Sequence, residues 1–288
     1  MKKNRVSFLF AAPAFIIYTA LLVIPIFMAF GISFFKWNGF TDMTFVGADN
    51  YVNLFHDKRL GNSVINTLII AGVVIVAVNV LGLALAMLVN KASKVNNFFR
   101  TIFFIPFVLS SVALSFVWKS ILSYNGVFNG ILEAIGLGDM IGNWLGTKWS
   151  AIICVIIVEI WRTLGYHMML YLAALQSVPD DLYEACTVDG GNRWDKFRNV
   201  TLPLIVPGMS VSILMSIINE LRIYDVVKIM TDGGPGYDTE TIVYNIVSQG
   251  FTSNIVGYSS AIAVVLFIAI GAISIFVVQQ TNKREVEM

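Results

Sequence analysis

Two sets of polar side chains recur at helical spacing inside apolar stretches of the chain. The first set stands at i, i+3, i+4 and i+7, which places its members on one helical face: Glu159, Arg162, Thr163 and Tyr166. The second set repeats that spacing in the next apolar stretch, with Arg222 and Asp225 just beyond it: Ser216, Asn219, Glu220 and Ile223. These groups donate and accept hydrogen bonds, but they do not form a nucleophile–base pair or a metal-ligand set. We therefore predict a polar cavity between two apolar helices.

The composition indicates that these helices lie in a bilayer. The 288 residues are 57% hydrophobic and only 13% charged, with a mean hydropathy of +0.77. Such a chain is too apolar for a soluble globular domain. The net charge of +1, without a basic tract, gives no electrostatic basis for binding nucleic acid.

Six stretches are long and apolar enough to cross a bilayer core of roughly 30 Å. They are Val6 to Phe35, Val64 to Val89, Thr101 to Trp118, Trp149 to Tyr171, Val200 to Asn219 and Val256 to Gln280. The first is too long for a secretory signal, so we expect it to be retained and bent at Pro13 and Pro25. These features predict an all-α polytopic membrane protein with six transmembrane helices, forming a single domain over residues 1–288.

The distribution of Lys and Arg predicts the orientation of the spans. The short segments that would face the cytoplasm carry most of the basic residues: Lys2, Lys3 and Arg5; Lys91, Lys94 and Arg100; Arg193, Lys196 and Arg198; Lys283 and Arg284. Both termini are therefore predicted to be cytoplasmic.

The cytoplasmic segment from Ser177 to Asn199 has the composition of a structured element. We expect Ser177 to cap a short amphipathic helix, Gly190 and Gly191 to end it, and a second helix to run from Arg193 to Asn199. Such a helix can lie on lipid headgroups or can bind a cytoplasmic partner. Its acidic first turns suit an anionic membrane poorly, which favours a protein partner.

One motif in this segment carries a family resemblance. The run Glu184-Ala185-Cys186-x-x-Asp189-Gly190, followed by Phe197 and Leu202-Pro203, resembles the EAA loop of permease subunits of bacterial ABC importers. The carbohydrate-uptake group, of the maltose type, is the most similar. The segment Phe45 to Phe55 and the turn Gly233 to Gly236 fit the same group, whereas Cys186 stands where that pattern has Ala or Ser.

The resemblance implies a function, partners and site residues. The EAA helix of such permeases sits in a cleft of an ATPase subunit, and Glu184 occupies the position that pairs with an ATPase arginine. The implied coupling residues are Asp181, Tyr183, Glu184, Ala185, Asp189 and Gly190. The implied sugar-lining positions are Glu159, Arg162, Thr163, Tyr166, Ser216, Asn219, Glu220 and Ile223.

The same resemblance implies a multi-pass subunit of the bacterial plasma membrane, working by alternating access. Its implied partners are a second, homologous permease, cytoplasmic ABC ATPase subunits, an extracellular solute-binding protein that the Gly233 to Gly236 turn could contact, and a carbohydrate substrate.

Several other functions are less well supported by the residues. The chain has no G-x-x-x-x-G-K-[ST] phosphate loop, so we predict a transport subunit that does not hydrolyse ATP itself and needs no cofactor or metal. In an ion-coupled secondary transporter only Glu159 and Glu220 could bind the ion, and the cytoplasmic helix would have no role. A phosphorylated polyol could bind Arg162 or Arg222, but the neighbouring glutamates oppose it. The Glu159–Arg162 pair could also be purely structural.

Overall fold

A computed structural model describes the backbone of residues 2–282 and the side chains of residues 10–281. The first part of the chain contains α1 (Lys2–Tyr18), α2 (Ile24–Ile32), β1 (Phe35–Lys36), β2 (Thr44–Phe45), α3 (Asp49–Leu54), α4 (Lys58–Leu88), α5 (Lys94–Val108), α6 (Ser111–Ile121) and α7 (Val127–Ala134). The remainder contains α8 (Lys148–Gln176), α9 (Asp180–Val188), α10 (Arg193–Lys196), α11 (Leu202–Leu204), α12 (Val206–Glu220), α13 (Asp225–Met230), α14 (Ile242–Val247) and α15 (Val256–Asn282).

Within residues 2–282, five helical segments are long and apolar enough to cross a membrane. They are Phe10–Ile32, Lys58–Leu88, Lys148–Gln176, Val206–Met230 and Val256–Thr281. A sixth candidate consists of α5 and α6 together, which meet at an angle of 95°. The chain is a multi-pass α-helical membrane protein, and the predicted fold class is confirmed.

The chain divides into two compact units. The first comprises residues up to Leu60 together with Asn245–Ile268, and the second comprises Gly61–Tyr244 together with the residues from Ala269 onward. The candidate site and the segment from Ser177 to Asn199 both lie in the second unit. The prediction of a single domain over 1–288 stays a prediction.

In the first unit, α1 and α2 follow each other through a π-helical turn at Thr19–Val23. Pro25 follows two residues after this turn, and its missing N–H removes one α-helical hydrogen bond. Beyond α2, β1 and β2 form a two-stranded antiparallel ribbon in which Phe35 pairs with Phe45. Asn50 on α3 fixes the backbone before the ribbon, because its Nδ2 donates to the carbonyl oxygens of Ser33 (2.8 Å) and Phe35 (3.0 Å).

In the second unit, α8 is the central helix. Its apolar side chains at three- and four-residue spacing pack against α4, as Ile152 and Val155 do against Ile70 and Val74. Gly165 lies on the side of α8 that packs against α5. An added Cβ at this glycine would stand 1.9 Å from the carbonyl oxygen of Phe103, so only glycine permits the close approach of the two backbones.

Three expectations about these elements are wrong in detail. The predicted span Thr101 to Trp118 is not one continuous helix: it breaks at Leu109, whose backbone is extended, and Ser110 caps the next helix by accepting a hydrogen bond from the Ala113 amide. The predicted span from Val200 begins as a straight helix only at Val206, because a π-helical turn and the short α11 precede it.

Ser177 is the third case. It terminates α8, donating its Oγ hydrogen to the carbonyl of Ala174, and does not cap α9. The predicted second helix from Arg193 is helical as expected but changes from α to π geometry at Phe197. Lys283 and Arg284, which contributed to the orientation, lie outside the described residues.

Candidate functional site

The polar face of α8 begins with an ion pair inside one helix. Arg162 donates through Nε to Glu159 Oε2 (3.1 Å) and through Nη2 to Glu159 Oε1. Both side chains are largely shielded from solvent, with 17% and 3% of their surfaces exposed. One turn further, Thr163 Oγ1 donates to the carbonyl oxygen of Glu159 (2.8 Å). The pair is intrahelical, so it does not by itself hold α8 to a neighbour.

A cavity of about 340 Å³ opens beside this ion pair, at the ends of α6 and α12. Its walls combine charged, amide, hydroxyl and aromatic groups: Phe107, Ser111, Glu159, Arg162, Thr163, Asn219, Arg222, Ile223, Tyr224, Asp225 and Val226. A cavity with this lining can bind a polar ligand through several hydrogen bonds and an apolar face.

The predicted sugar-lining residues divide between the cavity and its surroundings. Those at the cavity are Glu159, Arg162, Thr163, Asn219 and Ile223. The other three are not among the residues that line the cavity. The ring of Tyr166 stacks on Phe107, Ser216 is fully buried, and Glu220 is only 1% exposed, with neither carboxylate oxygen hydrogen-bonded in the described part of the chain.

Sequence reasoning missed part of the wall. Phe107 and Ser111 reach the cavity because the third span breaks between them, and Tyr224 and Asp225 reach it because α12 ends at Glu220. Pro106 and the capping side chain of Ser110 were available signals for the first break. Arg222 and Asp225 were noticed in the sequence but were not included among the site residues.

A buried hydrogen-bond network joins α4, α8 and α12 next to this site. Asn79 Oδ1 accepts from the hydroxyls of Tyr171 and Ser212 (both 2.8 Å), and Asn79 Nδ2 donates to Ser216 Oγ (3.0 Å). Ser212 Oγ also lies 2.8 Å from His167 Nδ1. Asn79 of α4, His167 of α8 and Ser212 of α12 are thereby linked. The network fixes the spans that carry the cavity.

The segment from Ser177 to Asn199 begins directly after α8, and three residues separate α8 from α9. Along α9 the carboxylates of Asp181, Glu184 and Asp189 are exposed, and none forms an ion pair within the described residues. Gly190 ends the helix with φ of +82°, a conformation that favours glycine. The amide of Gly191 then donates to the Cys186 carbonyl (2.8 Å).

The remaining coupling positions face inward or line a shallow groove. Tyr183 OH lies 3.1 Å from Thr201 Oγ1, which ties α9 to the turn before α12. A cavity of about 530 Å³ lies between α9 and the residues that follow it, with Ala185, Cys186 and Gly190 in its wall. Asn192 and Asp195 form a reciprocal capping box that starts α10.

At the other end of the second unit, the Gly/Pro turn is held by polar contacts. Gly233 and Gly236 adopt positive φ, and Asn66 Nδ2 donates to the carbonyl oxygens of Asp238 and Glu240. The ammonium of Lys228 bonds to Asp232 Oδ1 (2.6 Å) and lowers the pKa of that carboxyl. Burial, and then the hydrogen bond to Asp232, raise the pKa of Tyr244.

Fold and cavity together define a multi-pass membrane protein with a polar cavity beside one of its central helices. Comparison with known proteins makes this more specific. The sequence profile of binding-protein-dependent transport system inner membrane components matches residues 78–287. The chain belongs to this family, whose members are permease subunits of ABC importers, and the predicted family is thereby confirmed.

Curated relatives align over nearly the whole chain. The probable starch degradation products transport system permease protein AmyD of Thermoanaerobacterium thermosulfurigenes is 37% identical over 99% of this chain and 97% of its own length. The trehalose/maltose transport system permease protein MalF of Thermococcus litoralis is 30% identical, over 93% of this chain and 91% of its own length. A crystal structure of a bacterial ABC transporter that imports the acidic polysaccharide alginate shares the fold. It has a TM-score of 0.85 at 24% identity and covers 98% of this chain and 96% of its matched chain.

Proposed function

We propose that this chain forms half of the translocation pathway of an ATP-driven carbohydrate importer, with the cavity beside Glu159 as its sugar site. The observation that carries the proposal is the lining of that cavity, in which carboxylate, guanidinium, amide and hydroxyl groups surround a space flanked by aromatic rings. Sugars present many hydroxyl groups and apolar C–H faces, and this lining complements both. The relatives named for starch products and for trehalose and maltose support the same substrate class.

The partners follow from the cytoplasmic segment and the family. We infer that α9 docks into a separate ATPase through Asp181, Tyr183, Glu184, Ala185, Asp189 and Gly190, and that the chain does not hydrolyse ATP itself. The carboxylates of α9 are exposed and form no ion pair with the side chains that the structure describes, which suits a basic cleft. A second permease would complete the pathway, and an external binding protein would deliver the sugar. Both termini would face the cytoplasm.

The mechanism would be alternating access. Closure of the ATPase subunits moves α9, and α9 follows α8 after only Ser177, Val178 and Pro179. Movement of α9 is thereby passed to the helix that carries Glu159, Arg162 and Thr163. Two alternatives are less well supported: a proton-coupled transporter leaves α9 without a role, and a phosphorylated polyol would meet an Arg162 whose guanidinium already binds Glu159.

The test is uptake by the complete transporter reconstituted in vesicles with its binding protein. Starch oligosaccharides, trehalose, maltose and lactose would be supplied as separate radiolabelled substrates. We expect at least one of these sugars to be taken up. This uptake should require ATP on the side of the membrane that carries the ATPase subunits, and it should persist when an uncoupler collapses the proton gradient. Uptake that is lost with the uncoupler while ATP remains would favour ion coupling instead.

A further inference from the structure

Glu220 has an environment that sugar binding alone does not explain. It ends α12 with 1% of its surface exposed, and within the described residues neither carboxylate oxygen has a hydrogen-bond partner. Buried polar groups nearly always have a partner, and an unpaired buried carboxylate is strongly unfavourable. An ionisable side chain kept in such a position within a membrane span usually has a functional role.

Arg162 is a cation that interacts electrostatically with this carboxylate, and Asn219, the residue before Glu220, lines the same cavity as Arg162. Arg162 also interacts with Glu159 and with Asp225 at the cavity, so the four side chains form one charge cluster. In the present arrangement Arg162 gives two hydrogen bonds to Glu159 and none to Glu220. Of the two buried carboxylates in this cluster, Glu159 and Glu220, only Glu159 is therefore hydrogen-bonded to the guanidinium.

The two possible pairs differ in what they connect. Glu159 and Arg162 both belong to α8, so their pairing is independent of the position of α12. A pair between Arg162 and Glu220 would cross from α8 to α12. It would form in one arrangement of the two helices and break in another, as expected for a switch element.

We propose that Arg162 exchanges its carboxylate partner during transport, from Glu159 in the present arrangement to Glu220 when a polyhydroxylated ligand occupies the cavity. The inference rests on the proposed function. Sugar hydroxyls would donate to Glu159, which lines the cavity, and would replace the guanidinium there. Arg162 would then satisfy Glu220. The ligand thus supplies the hydrogen bonds that the cluster lacks.

This exchange gives the transporter a way to detect its substrate. The new interhelical pair would stabilise one arrangement of α8 against α12, and the short connection from α8 to α9 would pass the change to the ATPase. A ligand shifts a conformational equilibrium only by its differential affinity for the two states, and the partner exchange is a source of that difference.

The experiment compares two isosteric variants in the reconstituted complex, with Glu133→Gln on the exposed face of α7 as the control. Melting temperature, basal ATPase activity and sugar-stimulated ATPase activity are measured with the binding protein and the sugar that wild type transports. Glu220→Gln should raise the melting temperature, because a neutral amide costs less to bury than an ionisable carboxyl group without a hydrogen-bond partner. It should also reduce the sugar stimulation by about tenfold, equivalent to about 1.4 kcal/mol, because Arg162 loses its second partner.

Glu159→Gln should have the opposite effect on the pairing between Arg162 and Glu220. Arg162 would pair with Glu220 without sugar, so basal ATPase activity should rise and depend less on sugar, while the control behaves as wild type. An unchanged or lower melting temperature for Glu220→Gln, wild-type stimulation in that variant, or loss of basal activity in Glu159→Gln overturns the exchange. If wild type responds to no sugar tested, the proposed function fails and the exchange with it; if wild type responds and Glu220→Gln responds equally, only the exchange fails.

Discussion

The ring of Tyr166 lies almost flat on the ring of Phe107, with centroids 4.4 Å apart and planes 15° from parallel. Phe107 lines the cavity, whereas Tyr166 is not among the residues that line it. The direct contact of Tyr166 with sugar, expected from the family resemblance, stays a prediction. From the ring contact we propose that Tyr166 positions Phe107.

Two substitutions at Tyr166 separate these roles. Tyr166→Phe keeps the stacked ring and should leave the apparent affinity for sugar near that of wild type. Tyr166→Ala removes the ring pair, which is worth roughly 0.5–1.5 kcal/mol, and should weaken both affinity and thermal stability. Sugar-dependent ATPase stimulation gives the affinity. Equal losses in the two variants would show that the hydroxyl itself binds sugar.

Asn79 should contribute to stability through the network that it joins. Asn79→Ala leaves the hydroxyls of Tyr171 and Ser212 without their shared acceptor, at a cost of roughly 1–3 kcal/mol. Adding Tyr171→Phe removes one of the orphaned groups, so the double variant should lose less stability than the sum of the single variants. Thermal unfolding of the purified complex measures the three values. Strict additivity would show that the network is not energetically coupled.

The α9 turn should be required for coupling and dispensable for sugar binding. Gly190→Val forces a β-branched residue to φ of +82°, which costs roughly 1–3 kcal/mol and displaces the helix end. Glu184→Ala removes an exposed carboxylate from the proposed docking contact. Both should lower sugar-stimulated ATPase activity and uptake in the reconstituted complex. Gly138→Val, at a glycine with open space and without positive φ, is the control. Normal transport by either α9 variant would contradict the coupling role.

The orientation can be tested by thiol labelling in intact cells. In a background with Cys154→Ala and Cys186→Ser, we expect an impermeant reagent added outside to label Asp238→Cys near the Gly/Pro turn. It should not label Val188→Cys, although Val188 is 87% exposed, because α9 would lie on the cytoplasmic side. The reverse pattern would place both termini outside.

The fold could be predicted to the level of spans because each helix must satisfy its own backbone in lipid, so apolar length is a direct signal. The break after Val108 was missed because Thr101 to Trp118 stays apolar on both sides of it. The two polar faces were visible because period 3.6 puts Glu159 and Thr163 together whatever the partner helix is. The burial of Glu220 depends on how α12 packs, and no local pattern encodes it.

The remaining site residues illustrate the same limit. Gly190 was predicted to end the amphipathic helix, and it does so with positive φ. Arg222 and Asp225 were recognised as polar residues beyond a span, but their position at the cavity follows from the end of α12 at Glu220. The residue at which a helix ends inside a membrane protein depends on tertiary contacts as much as on the local sequence.

The central claim is that sugar binds in the cavity beside Glu159. A substitution at Asn219 tests this claim most directly, because Asn219 lines the cavity and lies outside the charge cluster. The measurement is the concentration of sugar-loaded binding protein that half-stimulates ATPase activity, for wild type, Asn219→Ala and the exposed control Asn143→Ala. Loss of one hydrogen bond to sugar, about 1 kcal/mol, should raise that concentration roughly fivefold or change the preferred sugar in Asn219→Ala alone. Wild-type half-stimulation and sugar preference in Asn219→Ala, with only a lower melting temperature, would contradict the account.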